Sequence, residues 1–174
     1  MYPEDAGAGG NQPRIDEQAD PTVIQQEDQY YCGAACAQML LRDLGISVEQ
    51  KFLVKLISPS GYSISRGIVS ADVLAAVMNT IDSDNPSRWQ GGLLKLTGAT
   101  PRELIETLMQ TGPWIALLWS EWPEQAKIGH MVIVDSIYEK EFLVIRDPEE
   151  RTRYKMRFSD FIIYWTEYGV YKIS

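Results

Sequence analysis

In this chain of 174 residues, the most informative segment reads Gln26-Glu-Asp-Gln-Tyr-Tyr-Cys32-Gly-Ala-Ala-Cys36-Ala-Gln-Met-Leu-Leu41. A polar approach ends at a cysteine, and the small and apolar residues after it are good helix formers. Gly45 supplies a natural end for this helix. The pattern therefore predicts a helix with Cys32 at or just before its N-terminus. The helix dipole and the N–H groups of the first turn favour a thiolate there, which is the nucleophilic form of cysteine.

A glutamine precedes the cysteine by one loop. Gln26 lies six positions before Cys32, close enough for its amide to donate to an oxyanion beside the backbone N–H of Cys32. The alternative interpretation is that Cys32 is a buried small hydrophobic residue, as free cysteines usually are. Cys36 falls one turn further along the same helix face and is predicted to pack in the core rather than to act in redox chemistry. A disulfide between consecutive turns would be strained, so both thiols are predicted to be free.

The charge of the chain is concentrated near its N-terminus. Residues 1–29 hold seven of the 24 acidic residues and one of the 16 basic residues, which accounts for −6 of the net charge of −8. The rest of the chain is close to balanced and shows no basic stripe, so nucleic acid is not an expected partner. One histidine and two cysteines do not supply the usual four ligands of a structural zinc site. We therefore expect no metal and no cofactor.

Hydropathy and composition divide the chain into a leader and one domain. Residues 1–21 are rich in Gly, Pro, Gln and acids, which predicts a disordered acidic leader, and residues 22–174 are long enough for a single core. No apolar run is long enough to span a membrane. No basic start followed by an apolar run is present, so no signal peptide is expected. The expected localisation is the cytoplasm, or export without a cleavable signal.

The order of predicted elements indicates an α+β domain. Apolar residues recur at helical spacing in the first part of the chain, whereas strand-like runs follow from Trp114 onward. Predicted helices after the Cys32 helix cover residues 47–57, 70–78 and 101–110, and predicted loops cover residues 58–69 and 82–92. Predicted strands cover residues 93–96, 114–119, 130–137, 141–146, 151–158 and 168–173. We therefore expect an N-terminal helical layer packed on a C-terminal antiparallel sheet.

His130 is the only histidine of the chain, so it is the single candidate base for a cysteine nucleophile. Alone, a histidine at the start of an apolar strand is more often structural or solvated. Its combination with Cys32 at a helix start favours catalysis, because cysteine enzymes pair residues that are distant in sequence and adjacent in space.

A third candidate follows from the geometry of a hairpin. If Tyr138-Glu-Lys-Glu141 forms the turn, residue 147 faces residue 132 and lies diagonally beside His130 on the same sheet face. Asp147 would then accept a hydrogen bond from the imidazole, fix its tautomer and stabilise the imidazolium. A register slip of one residue would turn Asp147 to the other face. Asp135, whose parity is opposite to that of His130, is the alternative.

Several motifs, in the same order along the chain, resemble one family. Glutamine, five residues and then Cys-Gly at a helix start resembles the papain superfamily. The narrower resemblance is to the bacteriocin-processing, double-glycine leader peptidases of ABC exporters. It rests on Cys32-Gly-Ala-Ala, Gly112-Pro-Trp-Ile-Ala, Gly129-His-Met-Val-Ile-Val and Val144-Ile-Arg-Asp147-Pro148.

The resemblance implies roles for four residues. It implies a papain-like fold in which Cys32, His130 and Asp147 form the catalytic triad. The position matching Gln26 lines the oxyanion hole in that family. The chain departs from the family at Tyr31, where exporter peptidases often carry Asp. A second departure is that no membrane or ATPase region follows in this sequence.

The expected function is that of a papain-like cysteine peptidase acting on a peptide or protein substrate through a thioester. The same residues can instead deamidate or transamidate a protein glutamine, as papain-like bacterial effectors and toxins do. A toxin would have a cognate inhibitor or immunity protein as a further partner. A third reading, from a different class, is a catalytically idle domain that only binds peptides.

Overall fold

Three helices from the first half of the chain lie against one face of a single β-sheet. The computed structural model describes residues 3, 5–6, 10–58, 70–123 and 128–173. The helices within these ranges are α1 (Cys32–Asp43), α2 (Gln50–Ile57), α3 (Ala71–Ile81), α4 (Pro101–Met109) and α5 (Phe158–Tyr164). The strands are β1 (Asp5–Ala6), β2 (Ile15–Ala19), β3 (Trp89–Leu93), β4 (Trp114–Trp119), β5 (Ile128–Tyr138), β6 (Phe142–Asp147), β7 (Thr152–Arg157) and β8 (Trp165–Lys172). None of these helices is long and apolar enough to cross a bilayer.

Seven of the described strands follow one another across the sheet in the order β2-β7-β6-β5-β4-β8-β3, and each pair on this path is antiparallel. The eighth, β1, pairs with β5 in parallel. The centre of the sheet is β5, where His130 pairs with Leu118 of β4. The predicted α+β class, with helices first and an antiparallel sheet later, is therefore confirmed.

The sheet buries both of its faces. One core lies between α1–α3 and the face that carries Ile115 and Leu117. The other lies between α4, α5 and the face that carries Trp114, Ala116 and Leu118. Because alternate residues of β4 enter opposite cores, the whole strand is apolar, which explains the continuous run in the sequence. The predicted helical layer thus has a counterpart on the opposite face.

Local signals set several element boundaries as predicted. Thr100 accepts a hydrogen bond from the backbone N–H of Glu103, and the Glu103 side chain accepts from the N–H of Thr100, which is the predicted capping box at α4. The third helix is longer than predicted and ends at Ile81. Trp89 lies in β3 and is buried, not in the predicted loop, because β3 pairs with the far edge of β8. Most of the predicted loop over residues 58–69 lies outside the described residues.

The N-terminal leader differs from its prediction. Within residues 1–21, which the composition predicts to be disordered, the described residues 5–6 and 15–19 form β1 and β2. Two of the acidic residues of this stretch pair with bases of β7, since Asp16 lies 3.3 Å from Lys155 and Asp20 lies 2.8 Å from Arg153. Low hydrophobicity excludes a core role, but it does not prevent a strand from adding to a sheet edge with complementary charge.

In the β5–β6 hairpin, a bulge cancels the shift in strand register that the turn introduces. At the turn Tyr138 pairs with Phe142, so the loop is one residue longer than predicted. A bulge at Asp135 removes that offset, because Val134 pairs with Ile145 while Ser136 pairs with Val144. Beyond the bulge Ile133 pairs with Arg146, so position 147 follows opposite position 132, as predicted. Asp147 consequently lies on the same face as His130.

Candidate active site

Cys32 is the first residue of α1 and is fully buried. Its sulfur accepts a hydrogen bond from the backbone N–H of Met131 at 3.5 Å. Cys36, one turn later, donates to the carbonyl of the same residue at 3.4 Å. The two thiols therefore fix the start of α1 against β5 at the residue that follows His130. Both are free thiols.

The two cysteines have different surroundings. Burial raises the pKa of the Cys36 thiol well above its ordinary value, and the nearby Cys32 raises that pKa further. Cys36 is therefore held as a neutral thiol in the core, in agreement with the predicted packing role. Cys32, by contrast, shares a side-chain hydrogen bond with His130.

His130 lies between the thiol and a carboxylate. Its Nε2 is 2.7 Å from Oδ1 of Asp147, and both side chains are fully buried. With Nε2 turned to Asp147, Nδ1 is the ring nitrogen left for Cys32. The structure thus brings the three predicted residues together from a helix start and two neighbouring strands.

The protonation states of His130 and Asp147 are decided by their charges and hydrogen bonds rather than by burial. Burial opposes an imidazolium, but the charge of Asp147, its hydrogen bond and the contact with Cys32 outweigh it and raise the pKa of His130 well above its ordinary value. Burial likewise opposes the carboxylate, yet the charge of His130, its hydrogen bond and Arg14 lower the pKa of Asp147 to about 2. The site is therefore poised as an imidazolium–carboxylate pair.

Asp147 has partners that the sequence did not indicate. Its Oδ1 also accepts from the N–H of Glu149 at 3.0 Å. Its Oδ2 accepts from the hydroxyl of Tyr154 at 2.8 Å and lies 3.5 Å from the guanidinium of Arg14. The guanidinium of Arg14 also stacks over the Tyr154 ring, 4.7 Å from its centroid. Arg14 belongs to the stretch predicted to be disordered, so no sequence signal could have placed it here.

Gln26 lies in the loop before α1, but its amide is already engaged. Its Nε2 donates to the carbonyls of Asp28 and Gln29, each at 3.0 Å. Its buried Oε1 has no hydrogen-bond partner among the residues that the structure describes. The backbone N–H of Gln26 donates to Pro148, the residue after Asp147, at 2.8 Å. The oxyanion-hole role of Gln26 remains a prediction.

A buried glutamine that sequence reasoning missed holds this loop in place. Gln50, the first residue of α2, is fully buried. Its Oε1 accepts from the N–H of Glu27 at 2.9 Å, and its Nε2 donates to the carbonyl of Gln25 at 2.9 Å. A polar residue at a helix start carries no signal for such a long-range contact, since it satisfies helix capping rules equally well.

The alternative carboxylate, Asp135, does not reach His130. It lies at the bulge of β5 and pairs with Arg146 at 2.9 Å and with Arg153. Its role is in the ion-pair network at the hairpin rather than in the site.

One group of metal-type ligands exists among the residues that the structure describes. His130, Asp147 and Glu149 each bring a ligand atom within 4.8 Å of the others. However, both oxygens of Asp147 already accept hydrogen bonds, and the imidazole bridges Asp147 and Cys32. The arrangement therefore fits proton transfer better than metal coordination.

The fold is that of the papain-like cysteine peptidases. The peptidase domain of Streptococcus ComA, a bifunctional ABC transporter involved in a quorum-sensing pathway, superposes with a TM-score of 0.56 at 15% identity, covering 86% of this chain and 95% of that domain. A double glycine motif protease from an AMS/PCAT transporter, solved in complex with its leader peptide, superposes with a TM-score of 0.55 at 14% identity. That match covers 95% of this chain and 96% of the protease. At these identities the likeness concerns the fold.

The chain belongs to the peptidase C39 family, whose profile matches residues 20–172. It is also 33% identical over 168 residues to Cysteine protease effector 1 from Escherichia coli O1:K1:H7. The match covers 97% of this chain and 30% of that protein, so the chain spans less than a third of its relative. The resemblance predicted from the motifs is confirmed at the level of family and fold.

Proposed function

We propose that this protein hydrolyses a peptide bond in a peptide or protein substrate, with Cys32 as nucleophile, His130 as base and then acid, and Asp147 as the group that orients the imidazole. The observation that carries the proposal is the buried series of contacts in which His130 bridges the Cys32 thiol and the Asp147 carboxylate. A merely structural histidine would not need both a thiol and an ionised carboxylate in a fully buried site.

The proposed proton transfers follow from the charges of His130 and Asp147. A raised pKa of His130 favours transfer of the Cys32 proton to the imidazole, which leaves a thiolate–imidazolium pair stabilised by Asp147. The thiolate adds to the carbonyl carbon, and His130 returns the proton to the leaving amine as the thioester forms. A water molecule then gives a proton to His130 and attacks the thioester, which regenerates the thiol and releases the acid.

The oxyanion of each tetrahedral intermediate needs hydrogen-bond donors. The first N–H groups of α1 have no acceptor within the helix, and the N–H of Cys32 is one of them. The amide of Gln26 is the second proposed donor. Because both of its hydrogens now bind loop carbonyls, we infer that one of these bonds is exchanged for the oxyanion during the reaction.

The names of the relatives support a class of substrate and a setting. The transporter protease acts at a double glycine motif and was solved with a leader peptide. We carry this to the present chain as a preference for an extended peptide that contains a glycine pair. The curated relative is called an effector, and we propose the same role here, with a cognate inhibitor protein as a further partner.

The test is a cleavage assay on a peptide with one glycine pair in a sequence unrelated to this chain. The wild-type protein should give two fragments by mass spectrometry, and Cys32→Ala should give none. Cys36→Ala, which removes the other thiol of α1, is the matched control and should cleave. An intact peptide or protein target that gains about one dalton at a glutamine would identify a deamidase instead. If the wild-type protein produces neither cleavage nor the one-dalton gain, the proposal that it is an enzyme is refuted.

A further inference from the structure

The N-terminal segment, defined here as residues 10–20, crosses the sheet beside the proposed active site. The buried Gln12 side chain donates to the carbonyl of the last residue of β4 at 2.7 Å. Three residues later Ile15 begins β2, which pairs with β7. In the sheet, β5 and β6 lie between β4 and β7. The segment therefore passes over the two strands that carry His130 and Asp147.

Arg14 is the residue of this crossing whose side chain reaches the Asp147 carboxylate. Its Nη2 lies 3.5 Å from Oδ2 of Asp147, and its guanidinium stacks on the Tyr154 ring, 4.7 Å from the centroid. Its Nη1 donates to Glu17 at 2.8 Å, and its Nη2 is 3.9 Å from Glu149. Because the ring and two further carboxylates also hold the guanidinium, its position does not depend on Asp147 alone.

The two oxygens of Asp147 have different partners. Oδ1 faces Nε2 of His130 and the N–H of Glu149, whereas Oδ2 faces the hydroxyl of Tyr154 and the guanidinium of Arg14. Rotation of the carboxylate would break contacts on both sides, so the partners of Oδ2 keep Oδ1 directed at the imidazole. Burial opposes the charge of this group, but His130 and then Arg14 lower the pKa of Asp147 to about 2. Arg14 therefore affects both the orientation and the charge of the carboxylate.

The N-terminal segment has other attachments that do not involve Asp147. Glu17 accepts from the hydroxyl of Thr152 at 2.9 Å, and Asp20 lies 2.8 Å from Arg153. The backbone of β2 also pairs with β7. Removing the guanidinium of Arg14 should therefore leave the segment in place and change the surroundings of Asp147.

We propose that Arg14 is a positioning residue of the active site, which holds the Asp147 carboxylate ionised and turned toward His130. This inference rests on the proposed function, because it gives Arg14 a part in the reaction of Cys32. Arg14 contacts the carboxylate and not the thiol, so it acts on the reaction only through Asp147 and His130. It follows that the N-terminal segment completes the active site from a part of the chain far from the family motifs.

The experiment measures steady-state cleavage of the unrelated glycine-pair peptide over a range of pH. Arg14→Met removes the charge and keeps an apolar stem against Tyr154, so kcat should fall by about 10–100-fold with KM within about threefold of the wild type. Loss of the nearby positive charge makes Asp147 easier to protonate, so the acid limb of kcat/KM should move to higher pH. Arg14→Gln, a second variant without the charge, should show the same movement of the acid limb.

Two further variants separate charge from tethering. Arg14→Lys keeps the charge but not the planar guanidinium, so it should return the acid limb toward its wild-type position and recover part of kcat. Arg151→Met is the matched control, since Arg151 binds the carbonyls of Pro21 and Val23 at 2.9 and 3.0 Å. It removes a guanidinium that holds the chain just after the N-terminal segment and should keep the wild-type kcat and pH profile. Urea unfolding midpoints show that each variant is folded.

The outcomes separate this inference from the proposed function. If the wild type cleaves the peptide and Arg14→Met has the same kcat and acid limb, the role of Arg14 is refuted and the peptidase stands. An effect on KM alone, or an equal loss of kcat in Arg151→Met, also refutes it. If neither Arg14→Met nor Arg14→Gln folds, Arg14 serves the fold and the inference is refuted. If the wild type cleaves nothing, the peptidase proposal fails and this inference fails with it.

Discussion

The Nη2 atom of Arg146 lies 2.9 Å from Oδ1 of Asp135, the residue that forms the bulge in β5. The guanidinium is almost fully buried and also contacts Asp43 of α1 at 2.9 Å. Since Arg146 directly precedes Asp147, this ion pair fixes the hairpin at the point where its register decides the orientation of the Asp147 carboxylate. It also ties that hairpin to the helix that carries Cys32.

The bulge pair should contribute to stability. Asp135→Ala leaves Arg146 buried with one acidic partner instead of two, so we expect the free energy of unfolding to fall by about 1–3 kcal/mol. The measurement is urea unfolding at neutral pH. Asp16→Ala, which removes an exposed acid paired with Lys155, is the control and should change stability by about 1 kcal/mol or less. Equal unfolding midpoints for the two variants would contradict the role of the bulge pair.

Replacing the two cysteines should have different effects on cleavage activity. Cys32→Ala should lower kcat by about 10⁴-fold or more, because the nucleophile is lost. Cys36→Ala should stay within about tenfold of the wild type, since burial keeps that thiol neutral and it only packs and binds the Met131 carbonyl. Cleavage rates of the glycine-pair peptide provide the measurement. A Cys36→Ala enzyme as inactive as Cys32→Ala would reassign the nucleophile.

The charge of Asp147 should set the alkaline limit of activity. Asp147 raises the pKa of His130, so the wild-type imidazolium persists to a pH well above 6.5 and kcat/KM falls only beyond it. In Asp147→Asn the pKa of His130 drops, so the alkaline limb should move to lower pH and kcat should fall by about 10²–10⁴-fold. Tyr154→Phe, which removes one hydrogen bond to the carboxylate but leaves its charge, is the comparison and should move the limb less. If the alkaline limb of the pH profile does not shift in Asp147→Asn, the ion pair does not control the pKa of His130.

The donor role of Gln26 can be tested against its neighbour. Gln26→Ala should lower kcat by about 10–10³-fold with a small change in KM, because an oxyanion donor acts in the transition state. Gln25→Ala removes an exposed amide from the same loop and should retain wild-type kcat. Steady-state kinetics on one peptide decide the matter. Equal effects of the two substitutions would point to a role in loop structure alone.

Acid stability should follow the Asp147 carboxylate. Its pKa is depressed to about 2 in the folded protein from an ordinary value of 3.8, so the folded state binds fewer protons than the unfolded chain between these values. The stabilisation is therefore complete above about pH 4 and is lost as the pH falls toward 2. Urea midpoints at a series of acidic pH values provide the test. Asp147→Asn lacks this ionisation, so its midpoint should change less over the same range, and an identical decline would assign the acid sensitivity to other groups.

Much of the site could be read from the sequence because the signals were local. The helix start at Cys32 follows from small residues after a polar loop, and α4 follows from its capping box at Thr100. The uniqueness of the histidine left one candidate base. Asp147 was reached by counting along a hairpin, and the count succeeded although the real turn is one residue longer. The bulge at Asp135, which directly follows the run Val132-Ile-Val134, restored the register.

Other parts of the site depend on contacts between distant segments. The segment around Arg14 has the composition of a disordered leader, and it becomes ordered because β7 offers complementary charges and a free edge. Gln50 looks like an ordinary first residue of a helix, and only the folded chain shows that it holds the loop of Gln26. The two cores on opposite faces likewise emerge when α4 and α5 cross to the side away from α1.

The helix that carries Cys32, the apolar strands, the single imidazole and the α+β class can all be predicted from the amino-acid sequence. These depend on short-range propensities, caps and periodicity, which act within a few residues. The folded chain is needed to show which face of the sheet carries Asp147, where residues 10–20 lie and which carbonyls accept hydrogen bonds from Gln26. Those outcomes depend on strand register and on the charges of segments far apart in the chain, and a one-residue difference in pairing reverses them.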